Sequence, residues 1–106
     1  MTKQNEYNVI TSERARQILV SHAVFLAQAS VEAAERLVVT YENAADSLEK
    51  MPHRCLWFNE EYIPQNKYRF LTFEKRYMLI FQIKDYNVYV DYVLDCRQDY
   101  SWLIRD

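Results

Sequence analysis

The sequence predicts an α+β fold in which two helices cover one face of a mainly antiparallel sheet. Three observations lead to this prediction. A short β-branched run lies near the N-terminus, two apolar stripes at helical spacing follow it, and three strand-like runs fill the second half. The length of 106 residues is about that of one ordinary domain, so residues 1–106 are expected to form a single domain.

The first half of the chain predicts a strand followed by a helical hairpin. β-branched residues mark a strand over residues 7–11. Ser12 and Ser30 each stand where a helix N-cap belongs, and the apolar residues after each serine recur at spacings of three and four. The second stripe stops just before Pro52, which cannot continue a helix. Almost no linker separates the two stripes, so the helices should be antiparallel.

The second half predicts a loop and then a meander of three antiparallel strands, which forms one sheet with the first strand. Residues 52–66 hold both prolines and no clear periodicity, but their aromatic residues suggest a loop that packs on the body. The strands are expected over residues 68–73, 77–84 and 87–95, and residues 97–106 as a helical turn or an ordered tail. No glycine occurs, so tight turns must use other residues and phosphate-binding glycine loops are excluded.

The alternation of side chains along a strand assigns the two faces of the sheet. In the last strand one face should carry Val88, Val90, Tyr92 and Leu94, and the other Tyr89, Asp91, Val93 and Asp95. The face away from the hairpin should present Met78, Ile80, Gln82 and Tyr89. This is more apolar surface than a solvated face needs, and a contiguous exposed apolar patch indicates a partner.

Composition and charge exclude several classes of function. Proteins that bind nucleic acids through the phosphate backbone, without reading the base sequence, usually carry an excess of positive charge. The formal charge of −2 does not fit this class. No apolar run is long enough to span a membrane and the N-terminus has no signal-peptide core, so a cytoplasmic location is expected. Cys55 and Cys96 are expected to be free thiols, and together with His53 they lack the spacing of a zinc site. His22 falls within an apolar stripe and is expected to be a core or half-buried histidine rather than a catalytic one.

Three runs in the second half, following the capped hairpin, resemble the RelE/ParE toxins of type II toxin–antitoxin (plasmid stabilisation) systems. The runs are KYRFL at 67–71, RYMLIFQI at 76–83 and VYVDYVLDCR at 88–97. The likeness covers nearly the whole chain and rests on pattern and order rather than on an invariant motif.

This resemblance implies a growth-inhibiting bacterial protein held inactive in a hetero-oligomer with a cognate antitoxin protein. Within the superfamily, the ParE branch binds DNA gyrase, whereas the RelE branch cleaves messenger RNA on the ribosome. The RelE chemistry uses no metal: basic residues stabilise the charge that develops at the phosphate, and a tyrosine near the C-terminus often assists. Neither branch implies a cofactor or a membrane.

The RelE set of residues is incomplete in this chain. Met78 follows Tyr77 where the family strand has an arginine, and a thioether cannot neutralise a phosphate. Arg97 is the counterpart of the second family arginine, and Tyr100 lies close behind it, so these two are the candidate catalytic pair. The missing arginine and the net negative charge favour a ParE-like toxin, which binds its target without catalysing a reaction. An endoribonuclease and a toxin-derived binding module without toxicity remain as alternatives, so whether the chain is an enzyme stays open.

The remaining candidate residues fall into two groups. Contacts with the target or with nucleic acid are assigned to Lys67, Arg69, Lys75, Arg76 and Trp102, and contacts with the antitoxin to Met78, Ile80 and Tyr89. Structural explanations compete with these roles. A surface ion pair with a neighbouring aspartate would account for Arg97, and a charged sheet edge for the basic residues. Trp102 could simply anchor the C-terminus.

Overall fold

The computed structural model describes residues 6–61 and 63–97, which form two helices on one face of a four-stranded sheet. The elements are β1 (Asn8–Thr11), α1 (Glu13–Ala27), α2 (Val31–Ser47), a short 3-10 helix (Pro52–Arg54), β2 (Arg69–Phe73), β3 (Tyr77–Lys84) and β4 (Asn87–Asp95). The strand order is β1-β4-β3-β2, with β1 parallel to β4 and the other pairs antiparallel. The predicted α+β fold, with the first strand in the same sheet as the meander, is confirmed.

Both helices begin after the serines that the sequence predicts as N-caps. The Oγ of Ser12 accepts a hydrogen bond from the backbone N–H of Ala15 at 3.0 Å, and the Oγ of Ser30 accepts one from Ala33 at 3.1 Å. Each bond satisfies one of the N–H groups that a helix leaves unpaired at its start. The apolar stripes of the hairpin then pack on the sheet, where the core includes Ala15, Leu19, Leu37, Tyr41, Leu79, Phe81, Val88 and Val90.

A β-bulge in β4 reverses the faces that simple alternation predicts. Ile80 lies opposite Tyr92 but the next residue, Phe81, lies opposite Val90, so Asp91 has no counterpart on β3. The extra residue shifts the alternation by one position from there onward. The predicted grouping of faces is therefore wrong after the bulge: the helix-covered core contains Val88, Val90 and Val93, whereas Tyr92 and Leu94 belong to the core of the opposite face.

The loop before β2 covers the other face of the sheet. Its residues Phe58 and Ile63 form a second core with Tyr68, Met78, Ile80, Tyr92 and Leu94. Hydrogen bonds from Phe58 N to Tyr68 O (2.7 Å) and from Phe70 N to Leu56 O (3.1 Å) hold the loop against the outer edge of β2. The prediction that the loop packs on the body is confirmed. The expectation that Met78 and Ile80 are exposed is wrong, because the loop leaves them only 6% and 0% exposed.

Several turn residues have a positive φ, in the left-handed region of the Ramachandran plot, although none of them is glycine. Asp85, with φ of 57°, sits in the turn between β3 and β4, and Glu74 and Lys75, with φ of 48° and 66°, form the turn between β2 and β3. Aspartate tolerates this region, but for most residues it costs roughly 1 kcal/mol or more. The predicted glycine-free hairpin at residues 84–87 is confirmed. Within the described part of the chain, no helix is long and apolar enough to cross a membrane.

Candidate functional site

The ends of β3 and β4 bring the candidate residue Arg97 close to a small group of titratable side chains. Tyr77 lies opposite Asp95 in the register of the two strands, and Arg97 follows two residues later. α1 places the ring of His22 against that of Tyr77, with 5.3 Å between the ring centroids. This group, composed of His22, Tyr77, Asp95 and Arg97, is called the strand-end cluster below.

Asp95 and Arg97 form a compact ion pair within the strand-end cluster. The Asp95 side chain is buried and accepts hydrogen bonds from Arg97, at 2.9 Å from the backbone N–H, 3.3 Å from Nε and 3.2 Å from Nη2. Burial alone would raise the pKa of Asp95, but the hydrogen bonds and charge of Arg97 outweigh it and hold that pKa below its ordinary value. The same contacts raise the pKa of Arg97. The exposed guanidinium is therefore largely compensated by a carboxylate of its own chain.

His22 is half-buried, as the sequence predicts. Burial lowers its pKa, although the charge of Asp95 and a hydrogen bond with the backbone of Val93 act in the opposite direction. The imidazole is consequently mostly neutral near pH 7. It packs α1 against the part of β4 that extends beyond the end of β1, so its role in the cluster is structural as well as electrostatic.

The four basic candidates near β2 fall into two separate groups. Lys67 and Arg69 lie at the start of β2, whereas Lys75 and Arg76 lie in and after the turn that follows it. The intervening strand spans about 17 Å at about 3.4 Å per residue. The structure therefore does not bring these four cations to a single point.

Arg69 is occupied by contacts within its own chain. Its Nη1 donates to the backbone oxygens of His53 (3.1 Å) and Cys55 (2.7 Å), and its guanidinium lies 3.8 Å from the centroid of the Trp57 ring. These contacts clamp the loop onto the start of β2. At the same end of the strand, the Nζ of Lys67 lies 5.3 Å from the centroid of the Tyr68 ring.

The antitoxin-binding candidates differ in their accessibility. Tyr89 is half-buried and lies opposite the partly exposed Ile10 of β1, so a partner can reach it. Met78 and Ile80 can contact another protein only if the loop over them moves. The two C-terminal candidates, Tyr100 and Trp102, lie outside the described residues.

Two features of the surface were missed by reasoning from the sequence. Arg14, at the start of α1, donates a hydrogen bond to the Tyr92 hydroxyl at 2.9 Å and stacks on its ring at 4.4 Å, which joins the helix to the second face of the sheet. Near the tip of the hairpin, a group of apolar side chains is exposed: Val20, Val24, Phe25 and Val31. A signal for this second feature was available, because residues 17–31 contain no charged side chain.

The described residues offer no arrangement for binding a metal ion, since no group of three or more His, Cys, Asp or Glu side chains comes together among them. They do provide the edge of the sheet at β1, an apolar hairpin tip and the strand-end cluster. Exposed strand edges and apolar patches are common at surfaces through which proteins bind other proteins.

The fold is that of the RelE/ParE class of toxins, with a mixed four-stranded sheet and a helical hairpin on one face. A family model described as the ParE toxin of the type II toxin–antitoxin system, parDE, matches residues 9–100. The chain therefore belongs to the ParE toxin family and is a ParE-like toxin.

Solved structures show the same fold. A structure described as the chromosomal ParDE TA system from P. aeruginosa is similar with a TM-score of 0.70 and 15% sequence identity, over 87% of this chain and 98% of that chain. No curated protein sequence matches the chain.

Proposed function

We propose that this toxin inhibits bacterial growth by binding a large target such as DNA gyrase, without catalysing a reaction, and that a cognate antitoxin neutralises it in a hetero-oligomer. The match of residues 9–100 to the ParE family supports the first statement. The second accords with the paired proteins of the ParDE system whose fold is similar. Action on gyrase would place the toxin in the cytoplasm.

The observation that carries this proposal is that two of the arginines assigned to the site, Arg97 and Arg69, are engaged in contacts within their own chain. Cleavage of RNA without a metal requires cations that converge on the scissile phosphate and remain free to stabilise it. Arg97 is paired with Asp95, and Arg69 is bonded to the backbone and stacked on Trp57. The position that should supply another arginine holds Met78, which is covered by the loop.

The second candidate function is a RelE-like endoribonuclease that acts on ribosome-bound messenger RNA. One observation favours it: Arg97 points to solvent at the end of β4, where the family resemblance puts a catalytic arginine. In this case Arg97 and Tyr100 would be the catalytic residues. The ion pair with Asp95 would have to open when RNA binds.

Inducible expression without the antitoxin tests both candidates. Growth, transcript integrity and plasmid supercoiling are followed together, and the purified toxin is added to gyrase in a supercoiling assay. We expect growth arrest with intact transcripts and inhibited gyrase. Cleaved transcripts would support the endoribonuclease instead, and unaffected growth would support a binding module that has lost toxicity.

The variant Arg97→Ala/Tyr100→Ala refines this test. If the toxin is an endoribonuclease, the variant should lose transcript cleavage while keeping its fold. Unchanged toxicity would exclude both residues from the site. Co-expression with the short gene next to the toxin gene should restore growth and yield a complex that co-purifies, whereas a stable toxin with no such neighbour would contradict the proposed partner.

A further inference from the structure

The outward side of α1 carries no charge along about three helical turns. Residues 17–28 include no Asp, Glu, Lys or Arg, although the exposed side of a surface helix is usually charged. Within the part of the chain that the structure describes, this side exposes large apolar side chains, and Phe25 is 71% exposed. The surface is called the uncharged α1 face below. Its exposed residues are Gln17, Val20, Ser21, Val24, Phe25 and Gln28.

The opposite side of α1 holds the helix firmly on the body. Ala15 and Leu19 are buried in the core, and the Oγ of Ser12 caps the first turn. Arg14 adds a hydrogen bond and a stacking contact with Tyr92. The uncharged α1 face is therefore presented by a rigid element, so a protein that covers it does not have to order a flexible segment first.

The charged residues nearest along the chain lie beyond both ends of this face. Glu13, Arg14 and Arg16 precede it, and Arg16 is already bonded to Glu13. The first charged residue after it is Glu32, on α2. Between these limits the face extends for about 16 Å, at about 1.5 Å per residue. A partner of this length meets only apolar and neutral polar side chains of α1.

We infer that the uncharged α1 face binds the same face of a second copy of this chain, with the two α1 helices antiparallel across a two-fold axis. The axis passes between residues 22 and 23, so Gln17 of one copy lies opposite Gln28 of the other, and Val20 of one approaches Val24 of the other. A two-fold axis brings the same patch of both copies together. This inference goes beyond the proposed function and does not depend on it.

The placement of charge favours a second copy as the occupant. The whole chain carries a net charge of −2, so two copies associate most easily through a surface that brings no like charges together. The uncharged α1 face has this property. It also offers no charge that would select an acidic or a basic partner.

The same reasoning favours the antiparallel arrangement. Parallel helices would place Glu13 beside Glu13 of the second copy and would align the two helix dipoles. In the antiparallel arrangement the uncharged stretch covers itself, and Arg16 lies opposite the uncharged Ala29. The contact is a short one between single helices, so the dimer should be reversible and should dissociate on dilution.

Sedimentation equilibrium of the full chain, purified without an antitoxin, tests the inference. The solution contains a reducing agent, because Cys96 is exposed and could otherwise link two copies by a disulfide. We expect a monomer–dimer equilibrium that shifts towards the dimer as the protein concentration rises. A monomer at every concentration would overturn the inference.

Two variants that differ only at residue 28 connect the dimer to this face and to its direction. Gln17→Lys/Gln28→Lys places like charges opposite each other twice and should weaken the dimer about tenfold or more. Gln17→Lys/Gln28→Glu places opposite charges there and should strengthen the dimer about fivefold at low salt. In a parallel dimer each residue would face its own copy, so the second variant would be weakened as well. That result would overturn the antiparallel arrangement.

A matched control separates the position of the added charge from its amount. Asn43→Lys/Gln65→Lys makes the same change in net charge at exposed residues outside the face and should leave the dimer nearly unchanged. Circular dichroism checks that each variant is folded, and Phe25→Lys, a single exposed substitution on the same face, should also give a monomer. If the dimer persists in both Phe25→Lys and Gln17→Lys/Gln28→Lys, the copies associate through another surface and the inference is overturned. These measurements do not require the toxin to act on gyrase, so the proposed function can fail separately.

Discussion

At the scale of single residues, the strand-end cluster links stability to pH. The pKa of Asp95 is lower in the folded chain than in an unfolded one, so its ionised form stabilises the fold above the unfolded value of about 4 and this contribution disappears as the pH falls through the folded value. Burial likewise lowers the pKa of His22, so its contribution is present above about 6.5 and is lost as the pH falls through the lowered value. Both residues therefore favour the fold at neutral rather than acidic pH.

Replacing Asp95 should expose this linkage. Asp95→Asn removes the charge that Arg97 requires, and we expect the free energy of unfolding at pH 7 to fall by about 1–2 kcal/mol. The difference from the unaltered protein should begin to shrink below about pH 4, where the unfolded chain takes up a proton on this carboxylate. Urea denaturation at pH 7, 5 and 3 measures both effects, with the exposed Asp46→Asn as control. An equal loss of stability at all three pH values would show that the ion pair is not the cause.

At the scale of elements, the loop over the second face behaves as part of the core. Phe58 is 4% exposed and packs with the buried residues of β3 and β4, whereas Leu56, two residues earlier, is 69% exposed. Neighbouring positions of one loop thus have opposite environments. The loop is consequently expected to contribute to stability as a helix or strand would.

Replacing each of these two side chains with alanine should show how differently the buried and the exposed position contribute to stability. We expect Phe58→Ala to lower the free energy of unfolding by about 3–5 kcal/mol, since it opens a cavity under the loop. Leu56→Ala should change it by no more than about 0.5 kcal/mol. Thermal or urea denaturation compares the two variants directly. Similar losses for both would mean that the loop does not form a second core in solution.

The elements that could be predicted from the sequence are those with local signals. The serine caps, the helical stripes and the β-branched first strand depend on neighbouring residues, and each was found where expected. The bulge at Asp91 could not be predicted, since nothing local marks where a strand gains a residue. Nor could the burial of Met78 and Ile80, which follows from a loop separated from them by many residues.

The candidate site was less predictable than the fold. The sequence identifies Arg97 as a basic residue after the last strand, but whether its charge is free depends on the position of Asp95 at the end of β4. The basic residues around β2 are close in sequence yet lie at opposite ends of the strand. The groove between β1 and the two helices, lined by Val9, Leu19 and Ala45, was not foreseen at all, because its walls come from three elements that meet only in the folded chain.

At the scale of the whole molecule, both faces of the sheet are covered, so the surfaces that the described residues leave for partners include the β1 edge of the sheet and the hairpin tip. Phe25 and Val24 are the most exposed apolar residues on α1. The exposed tip lies among uncharged residues and favours association of the toxin with itself or with other proteins when it is alone.

A charged substitution at the hairpin tip should reduce the self-association of the isolated toxin. We expect Phe25→Lys to increase the yield of monomeric protein in size-exclusion chromatography and to leave the melting temperature within a few degrees, because the side chain makes few contacts. Leu19→Lys, on the buried side of the same helix, is the matched control and should unfold the protein. A large drop in melting temperature for Phe25→Lys would mean that the tip is buried in solution.

The parallel pairing of β1 with β4 bears on how the toxin is made in the cell. Asn8 lies beside Asn87, so the first strand finds its neighbour only after almost the whole chain has been synthesised. At about 5–20 residues per second, the ribosome needs about 4–16 s to add the intervening residues. During that interval β4 does not yet exist, so the sheet cannot be completed. A host cell is thus exposed to the assembled toxin only after translation of the message is nearly finished, which gives an antitoxin that is already present time to capture it.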